Sequence, residues 1–295
     1  MADEYTTTFE KLWVEFRARW CASHDLGGAL GFSHEDVKIA MFHRVVQIHI
    51  DAKEVDGLID RALQLFREKD FDCAFTLSPL DRPTDLPEHL ERRGFKLAME
   101  PVAMVCDQPA APLKPGPAVV DESFEAEYPI WADIMCRSFA NPAAMGQVGR
   151  AVLCIPQVRR YLARVDGEPA GTTLLYSQNG MGYLDAVGTL PQHRRKGVAA
   201  ALVTRAVADS HALGNRWTAL ETDSTSIAEQ VYKKRGFRTT HYRYRYVKAT
   251  RYAAPKELIT CCQKRSSTPC LPGRRWNRAM PGLATTWPAC TSMPC

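Results

Sequence analysis

A short basic loop holds the residues of this chain that are best suited to bind an anion. Arg194, Arg195 and Lys196 are followed by Gly197, and the apolar run at 181–190 before them predicts a strand. The pattern after the loop predicts a helix. Free backbone N–H groups at the positive end of a helix dipole bind phosphate or pyrophosphate. The loop is therefore either an anion site or an ordinary strand-to-helix turn with a solvated basic face.

The composition is that of a soluble globular protein. The chain has 295 residues, enough for about two domains, with 45% hydrophobic and 24% charged residues. The sequence contains no run of 18 uncharged apolar residues, which a transmembrane helix would need, so we expect no membrane association. The N-terminus lacks a basic segment followed by an apolar one, so we expect no signal peptide and a cytoplasmic location.

Basic residues and cysteines are distributed unevenly. The net charge is +5, but residues 249–295 hold seven Lys and Arg and one acid, which leaves residues 1–248 at −1. A near-neutral body argues against nucleic acid as a partner, with a basic arm at 249–295 as the alternative. Five of the ten cysteines lie within residues 249–295, and no pair of cysteines in the chain has the C-x-x-C spacing of a zinc site. We therefore expect no metal, and free, mostly buried thiols in a reducing compartment.

Helices and strands alternate through the first 248 residues. The predicted helices lie at 5–20, 51–69, 86–93, 124–139, 199–213 and 226–234. The predicted strands lie at 42–50, 73–77, 95–105, 118–121, 160–165, 170–177, 181–190, 217–222 and 237–247. The last strand places three tyrosines on one face and Arg243 and Arg245 on the other. We interpret it as an edge strand with solvated arginines, and a base-stacking surface is the alternative.

Two segments are poor in regular structure. Residues 109–117 contain four prolines and a glycine, which predicts a linker at 111–117 between units at 1–110 and 118–248. Residues 249–295 combine proline, cysteine and arginine without hydrophobic periodicity, so we expect a disordered tail.

A weak internal repeat relates the two predicted units. Leu90–Phe95 (LERRGF) resembles Tyr232–Phe237 (YKKRGF), and each segment follows a longer helix and a short strand. The pattern indicates two copies of one α/β unit, unless a helix ending in Gly-Phe arose twice by chance. The first copy has acidic residues at 53–57 where the second has the basic loop. We therefore predict one active site per chain.

Two segments of the second unit resemble a known family. Residues 192–199 (QHRRKGVA) are similar to the acyl-CoA loop of the GCN5-related N-acetyltransferase (GNAT) family, Arg/Gln-x-x-Gly-x-Gly/Ala. Arg194, Gly197 and Ala199 take its three fixed positions, although glycine is commoner at the third. Residues 228–237 (AEQVYKKRGF) are similar to the family's later element, Ala-x-x-x-Tyr-x-x-x-Gly-Phe.

The resemblance implies a fold for both units. It covers residues 118 to about 248 and implies an α/β (α+β) fold, with a mixed, mostly antiparallel sheet flanked by helices. Residues 1–110 resemble a degenerate copy of the same fold, as in tandem acetyltransferases.

The resemblance also implies which residues bind acetyl-CoA. The pyrophosphate is expected at the backbone of the basic loop, and the pantetheine arm is expected to pair with the end of the preceding strand. The expected cofactor-binding residues are Val187, Gly188, Thr189, Arg194, Arg195, Lys196, Gly197, Val198, Ala199 and Ala200.

For the chemistry, the resemblance implies direct attack of an amine on the thioester. Tyr232 takes the position of the family's usual acid, unless it is simply a tyrosine packed against the sheet. A base must accept the amine proton, and Asp185 and Glu221 are the candidates on the strands beside the loop, acting directly or through a water. Each carboxylate is alternatively a surface or capping residue.

We therefore expect an N-acetyltransferase that uses acetyl-CoA and acts on a primary amine of a small molecule or peptide in a ternary complex. A homodimer is compatible with the sequence. The alternative is a non-catalytic acyl-CoA-binding or protein-interaction module. Turnover of acetyl-CoA with a panel of amines separates the two functions.

Overall fold

The computed structural model describes residues 4–37, 42–108, 113, 116–140 and 145–249. Its helices are α1 (Glu4–Ala18), α2 (Val55–Glu68), α3 (Leu86–Arg92), α4 (Tyr128–Ser138), α5 (Met145–Leu153), α6 (Val198–Ala212) and α7 (Ile227–Lys233). Its strands are β1 (Ala22–Asp25), β2 (Leu30–Ser33), β3 (Arg44–Val46), β4 (Cys73–Leu77), β5 (Lys96–Met99), β6 (Pro101–Cys106), β7 (Ala118–Glu122), β8 (Val158–Val165), β9 (Glu168–Gln178), β10 (Met181–Thr189), β11 (Trp217–Asp223), β12 (Arg238–Tyr242) and β13 (Tyr244–Lys248). None of the described helices is long and apolar enough to span a bilayer. The tail predicted to be disordered lies outside the described residues, apart from Ala249.

Most predicted elements are present, and the differences fall at turns. The predicted strands at 95–105 and 237–247 are each divided in two, at Glu100 and at Arg243. Sequence reasoning also misses the hairpin of β1 and β2, which is too short to show a hydrophobic period. Its turn contains two glycines with positive φ, Gly27 and Gly28.

The strands form two mixed sheets. One sheet has six strands in the order β1-β2-β3-β4-β13-β5, and the other has seven in the order β12-β6-β11-β10-β9-β8-β7. Only β3 with β4 and β10 with β11 pair in parallel, and the other pairs of the described sheets are antiparallel. The predicted fold class, with two mostly antiparallel mixed sheets flanked by helices, is confirmed.

The two sheets exchange a strand. β6, from the first predicted unit, lies between β11 and β12, while β13, from the second, lies between β4 and β5. The exchange is reciprocal because β5–β6 and β12–β13 are the corresponding segments of the repeat. Where the segments cross, the Arg243 N–H donates to the Pro101 carbonyl oxygen at 2.8 Å. Neither sheet is therefore contained in one of the units 1–110 and 118–248, and the domain division at 111–117 stays a prediction.

The interpretation of the last strand as an edge strand with solvated arginines is wrong for β13, although β12 does lie at the edge of the seven-stranded sheet. β13 has neighbours on both sides, and Arg243 and Arg245 are 0% and 5% exposed. Tyr242 and Tyr244 on the other face are 46% and 40% exposed. The arginines are buried because carboxylates from α1 and β11 lie close to them.

Helices cover both faces of the seven-stranded sheet. One face packs against α6 through Leu202 and Val207, and the opposite face packs against α4 and α1. Although α1 belongs to the first predicted unit, its Phe16 stacks on Tyr176 of β9 with ring centroids 4.7 Å apart. The apolar face of α2 covers the six-stranded sheet in the same way, with Phe66 fully buried. The N-terminal helix is therefore part of the wall over β9 and β10.

Because the two sheets exchange a strand, we predict that cutting the linker does not separate residues 1–110 from residues 118–248. A protease site introduced at 111–117 and cleaved to completion leaves β6 and β13 paired in their sheets, because the interstrand hydrogen bonds do not depend on the linker. We expect the cut protein to elute from a sizing column at the mass of the intact chain, and to separate only in denaturant. Two native peaks of about half that mass would contradict the exchange.

Candidate active site

The site begins where β10 and β11 separate. Their parallel pairing covers Met181–Leu184 of β10, and in the described part of the chain no later residue of β10 pairs with β11. A bulge between Asp185 and Gly188 bends β10 away, with Ala186 at a φ of 53°. The bent segment therefore presents unpaired backbone groups towards the opening, as a strand that can accept an extended ligand does.

Hydrogen bonds to side chains hold this bulge. Asp185 Oδ1 accepts from the Ala186 N–H at 2.7 Å. On the neighbouring strand, the hydroxyl of Thr173 donates to the Asp185 carbonyl at 3.0 Å and that of Thr172 donates to the Ala186 carbonyl at 3.3 Å. The opening is thus built into β9 and β10.

The predicted anion loop lies at the end of β10. Arg195 and Gly197 have positive φ values of 65° and 81°, which turns the chain into the first residues of α6. Gly197 is the N-cap of α6 and offers no side chain to the helix amides. Arg194, Arg195 and Lys196 are exposed beside them. The first-turn N–H groups, the helix dipole and three cations together suit a pyrophosphate.

Small residues and unsatisfied hydroxyls mark the path between the loop and the opening. A Cβ on Gly171 would lie 2.5 Å from Val198 Cγ1, and one on Gly188 would lie 2.9 Å from Ser138 Cβ. The hydroxyls of Thr189 and Ser138 are buried without a hydrogen-bond partner in the described structure. The two glycines let the helices pack closely on β9 and β10, and the two hydroxyls suit a polar ligand such as the arm of acetyl-CoA.

The structure brings the predicted cofactor residues together along this path. Val187, Gly188 and Thr189 lie on the unpaired part of β10, and residues 194–200 form the loop and the first turn of α6. Binding of acetyl-CoA by these residues stays a prediction.

Tyr232 lies on α7 beneath the opening. It is 6% exposed, packs against Phe237 with ring centroids 5.9 Å apart, and belongs to the same apolar cluster as Leu184 and Leu220. Burial, and next the nearby charge of Asp185, raise the pKa of its phenol well above the ordinary value. The phenol therefore remains protonated at neutral pH and can act as a proton donor.

The carboxylate of Asp185 is paired with an arginine from α1. Arg17 Nη2 lies 3.0 Å from Asp185 Oδ2, and the Asp185 side chain is about one third exposed. It is thus paired with a cation and still open to solvent or to a bound ligand.

Glu221 is held more tightly. Arg243 Nη1 donates to Glu221 Oε2, and Arg245 Nη2 lies 3.7 Å from Oε1. Burial would raise the pKa of this carboxyl, but Arg243, Arg245 and Arg44 outweigh it and lower the pKa to about 2. A carboxylate of such low pKa is a poor proton acceptor near neutral pH. The predicted role of Glu221 as a general base is therefore not supported by its surroundings.

Sequence reasoning misses the contribution of α1 to this region. Glu10 lies 3.2 Å from Arg243 Nε and 2.8 Å from His241 Nε2, while Arg17 reaches Asp185. The sequence signal that could have indicated this contribution is the spacing of Glu10 and Arg17. Glu10 and Arg17 are seven residues apart and flank Trp13, so they lie on or beside the apolar helix face that is expected to be buried.

The corresponding opening in the six-stranded sheet is closed by the chain itself. Gln47, just after β3, has a φ of 52° and corresponds by strand pairing to Ala186. There the Arg82 N–H donates to the Ile48 carbonyl at 2.8 Å, and Asp81 Oδ1 accepts from the Ile48 N–H at 2.8 Å. The chain near Arg82 thus occupies the position that is unpaired beside β10. This observation supports the prediction of one active site per chain.

No group of three or more His, Cys, Asp or Glu side chains that could hold a metal occurs among the described residues. Cys21, Cys73, Cys106 and Cys136 are buried free thiols, and Cys154 is an exposed one.

Replacing Gly197 by valine tests the loop. A Cβ at Gly197 meets nothing within 4 Å, but the positive φ disfavours any L side chain. We expect a loss of about 1–2 kcal/mol in the free energy of unfolding and at least a tenfold loss of acetyl-CoA affinity by calorimetry. Gly214→Val is the control, because Gly214 has a φ of 82° and equally open space at the other end of α6. Unchanged affinity in Gly197→Val would contradict the assignment.

Glu221→Gln tests whether this carboxylate is structural. Its folded-state pKa is lowered, so its contribution to stability is present above the unfolded value near 4.5 and is lost as the pH falls towards 2. We expect the variant to be less stable by about 3 kcal/mol near pH 7, because buried arginines lose their anion. The difference from wild type should shrink below pH 5 in thermal unfolding. A difference that is constant between pH 7 and pH 3 would contradict the pairing.

Comparison with known proteins finds a family similarity in the second half of the chain. Residues 123–237 match the family model described as acetyltransferase (GNAT) family. The match contains the opening, the anion loop and Tyr232. A search of curated proteins finds no significant match.

Solved structures share the fold over most of the chain. It is similar to a GCN5-related N-acetyltransferase from Kribbella flavida, with a TM-score of 0.67 and 19% identity over 82% of this chain and 95% of that one. It is also similar to a GCN5-related N-acetyltransferase from Sphaerobacter thermophilus, with a TM-score of 0.64 and 17% identity over 78% of this chain and 84% of that one. A tandem GNAT protein from the clavulanic acid biosynthesis pathway matches with a TM-score of 0.54 and 14% identity, over 72% of this chain and 76% of that one. The tandem arrangement expected from the repeat is thus found in a protein of the same fold.

Proposed function

Residues 123–237 form a domain of the GNAT acetyltransferase family, and we propose that the chain transfers an acetyl group from acetyl-CoA to a primary amine of a small molecule or peptide. The observation that carries the proposal is the continuous path from the first turn of α6 to the opening between β10 and β11. It joins a site for pyrophosphate to a strand edge that can hold an extended arm.

Binding begins at the loop. The amides of residues 195–200 hold the pyrophosphate, and Arg194, Arg195 and Lys196 add charge around it. The arm then extends along Val187 to Thr189 and pairs with β10 as an added strand. This pairing brings the thioester to the bulge, where a backbone N–H of the bent strand stabilises the charge that develops on the carbonyl oxygen.

Transfer then follows by direct attack in a ternary complex. The neutral amine attacks the thioester carbon, the bond from carbon to sulfur breaks, and the acetyl group stays on nitrogen. Tyr232 donates its proton to the departing thiolate from the α7 side of the sheet. The amine loses a proton to a base on the opposite side, where Asp185 and Glu221 lie.

Of the two carboxylates, Asp185 suits the role of base better. Its side chain is more exposed than that of Glu221, and it faces a single arginine, with Arg17 3.0 Å from Oδ2 and the Ala186 N–H 2.7 Å from Oδ1. A water on Asp185 can relay the proton to solvent. Glu221 contributes instead by fixing Arg243 and Arg245.

The phenol of Tyr232 provides the test. In Tyr232→Phe, the leaving thiolate has no proton donor, so we expect kcat to fall about 100-fold while acetyl-CoA affinity changes less than about twofold. The measurement is free-thiol release with a panel of amines. Tyr161→Phe is the control, because Tyr161 is also buried but donates to Asp209 at 2.9 Å, remote from the opening. It should lose about 1 kcal/mol of stability and keep its kcat. Full activity in Tyr232→Phe would contradict the assignment.

A further inference from the structure

Four arginines lie close together beside the opening, and three of them lie over the ring of one tryptophan. Arg17, Arg44 and Arg243 place their guanidinium carbons 5.1, 5.1 and 4.3 Å from the centre of the Trp13 ring. Arg245 follows two residues after Arg243 and shares its carboxylate partner, Glu221. We call these four side chains the arginine cluster. Buried guanidinium groups are costly unless anions pair with them.

Three acids lie against members of the cluster. Glu10 pairs with Arg243 and lies against His241, while Asp185 pairs with Arg17. Glu221 accepts from Arg243 through one oxygen and faces Arg245 with the other. Of the other nearby carboxylates, Asp81 accepts two backbone N–H groups, and Asp223 lies exposed at the end of β11, where its charge also acts on Arg245.

Arg245 is the member with the weakest pairing. Its Nη2 is 3.7 Å from Glu221 Oε1, which is beyond hydrogen-bond distance. Its Nη1 donates to the thioether of Met99 at 3.0 Å, and its Nε is buried without a partner in the described structure. A thioether is a weak acceptor. Burial and the neighbouring arginines lower the pKa of this guanidinium. Arg245 therefore has donors available for an anion.

The cluster faces the place where the acceptor must bind. Its partners Asp185 and Glu221 are the first residues of β10 and β11 after the parallel pairing ends. They lie on the α1 side of the sheet, opposite α6 and Tyr232. An acceptor whose amine reaches the thioester from this side therefore has the guanidinium of Arg245 close to its other substituents.

We propose that the acceptor is an amine carrying an anionic group, in the simplest case a carboxylate, and that Arg245 binds this group. The inference rests on the proposed acetyl transfer and names its substrate class. The bound carboxylate accepts from Nε and one terminal nitrogen of Arg245, the fork geometry that guanidinium offers.

Matched pairs of acceptors test the proposal in turnover. Amino acids are compared with their carboxamides, which keep the amine and remove the charge. We expect wild type to prefer the acids at least tenfold in kcat/KM. Arg245→Met should raise KM for the acids at least tenfold and leave kcat/KM for the carboxamides within threefold, while Arg245→Lys retains part of the preference. Arg216→Met is the control, because Arg216 is an exposed arginine paired with Glu4.

A second measurement is independent of catalysis. N-acetylglycine, which carries a carboxylate but no free amine, should raise the melting temperature of wild type and Arg216→Met but not that of Arg245→Met. If the shift occurs without turnover of any amine, the anion site stands and the proposed acetyl transfer fails. Equal shifts in all three proteins, or equal kcat/KM for acids and carboxamides in wild type, would overturn the proposal.

Discussion

The backbone hydrogen bonds of β6 and β13 are the constraint on which the rest of this structure depends. β6 completes the seven-stranded sheet between β11 and β12, and β13 completes the six-stranded sheet between β4 and β5. Removing β6 would leave β11 and β12 without their shared neighbour and would expose paired edges of both strands. The exchange also fixes how the crossing segments bring Arg243 and Arg245 under α1. The sheets and the arginine cluster therefore form together.

The two halves of the repeat have taken different roles. In the second half, the bulge at Asp185 opens β10 from β11, and Gly197 leaves the amides of α6 uncapped. In the first half, the chain near Arg82 fills the corresponding space, and Glu54 accepts the Asp51 N–H at 3.1 Å before α2. The chain itself therefore fills the place that corresponds to the opening, and acidic residues stand where the second half has its basic loop. The first half instead supplies α1, which lines the acceptor side of the other sheet.

The sequence predicts the local features well because they depend on short-range patterns. The loop around Gly197 and the turn after Tyr232 follow from glycine positions, and the apolar face of α2 follows from its period. The partners of β6 and β13 lie more than 100 residues away in the chain, so β6 in the second sheet could not be foreseen from the run at 95–105. Arg243 and Arg245 were misread for the same reason. The alternation of residue types shows that Arg243 and Arg245 share one face of the strand. Whether that face is buried depends on whether carboxylates such as Glu10 and Glu221 lie opposite the arginines.

The position of β6 has a consequence during synthesis. Its six residues are all buried, yet the strands that bury them begin at Trp217 and Arg238, more than 100 residues later in the chain. At a translation rate of about 5–20 residues per second, the apolar segment leaves the ribosome roughly 5–20 s before its first partner is made. Throughout that interval this apolar segment of the nascent chain has no partner strands to pair with. The reciprocal exchange thus delays completion of both sheets until β12 and β13 have been made, and Pro101–Cys106 is an apolar segment that a chaperone can bind in that interval.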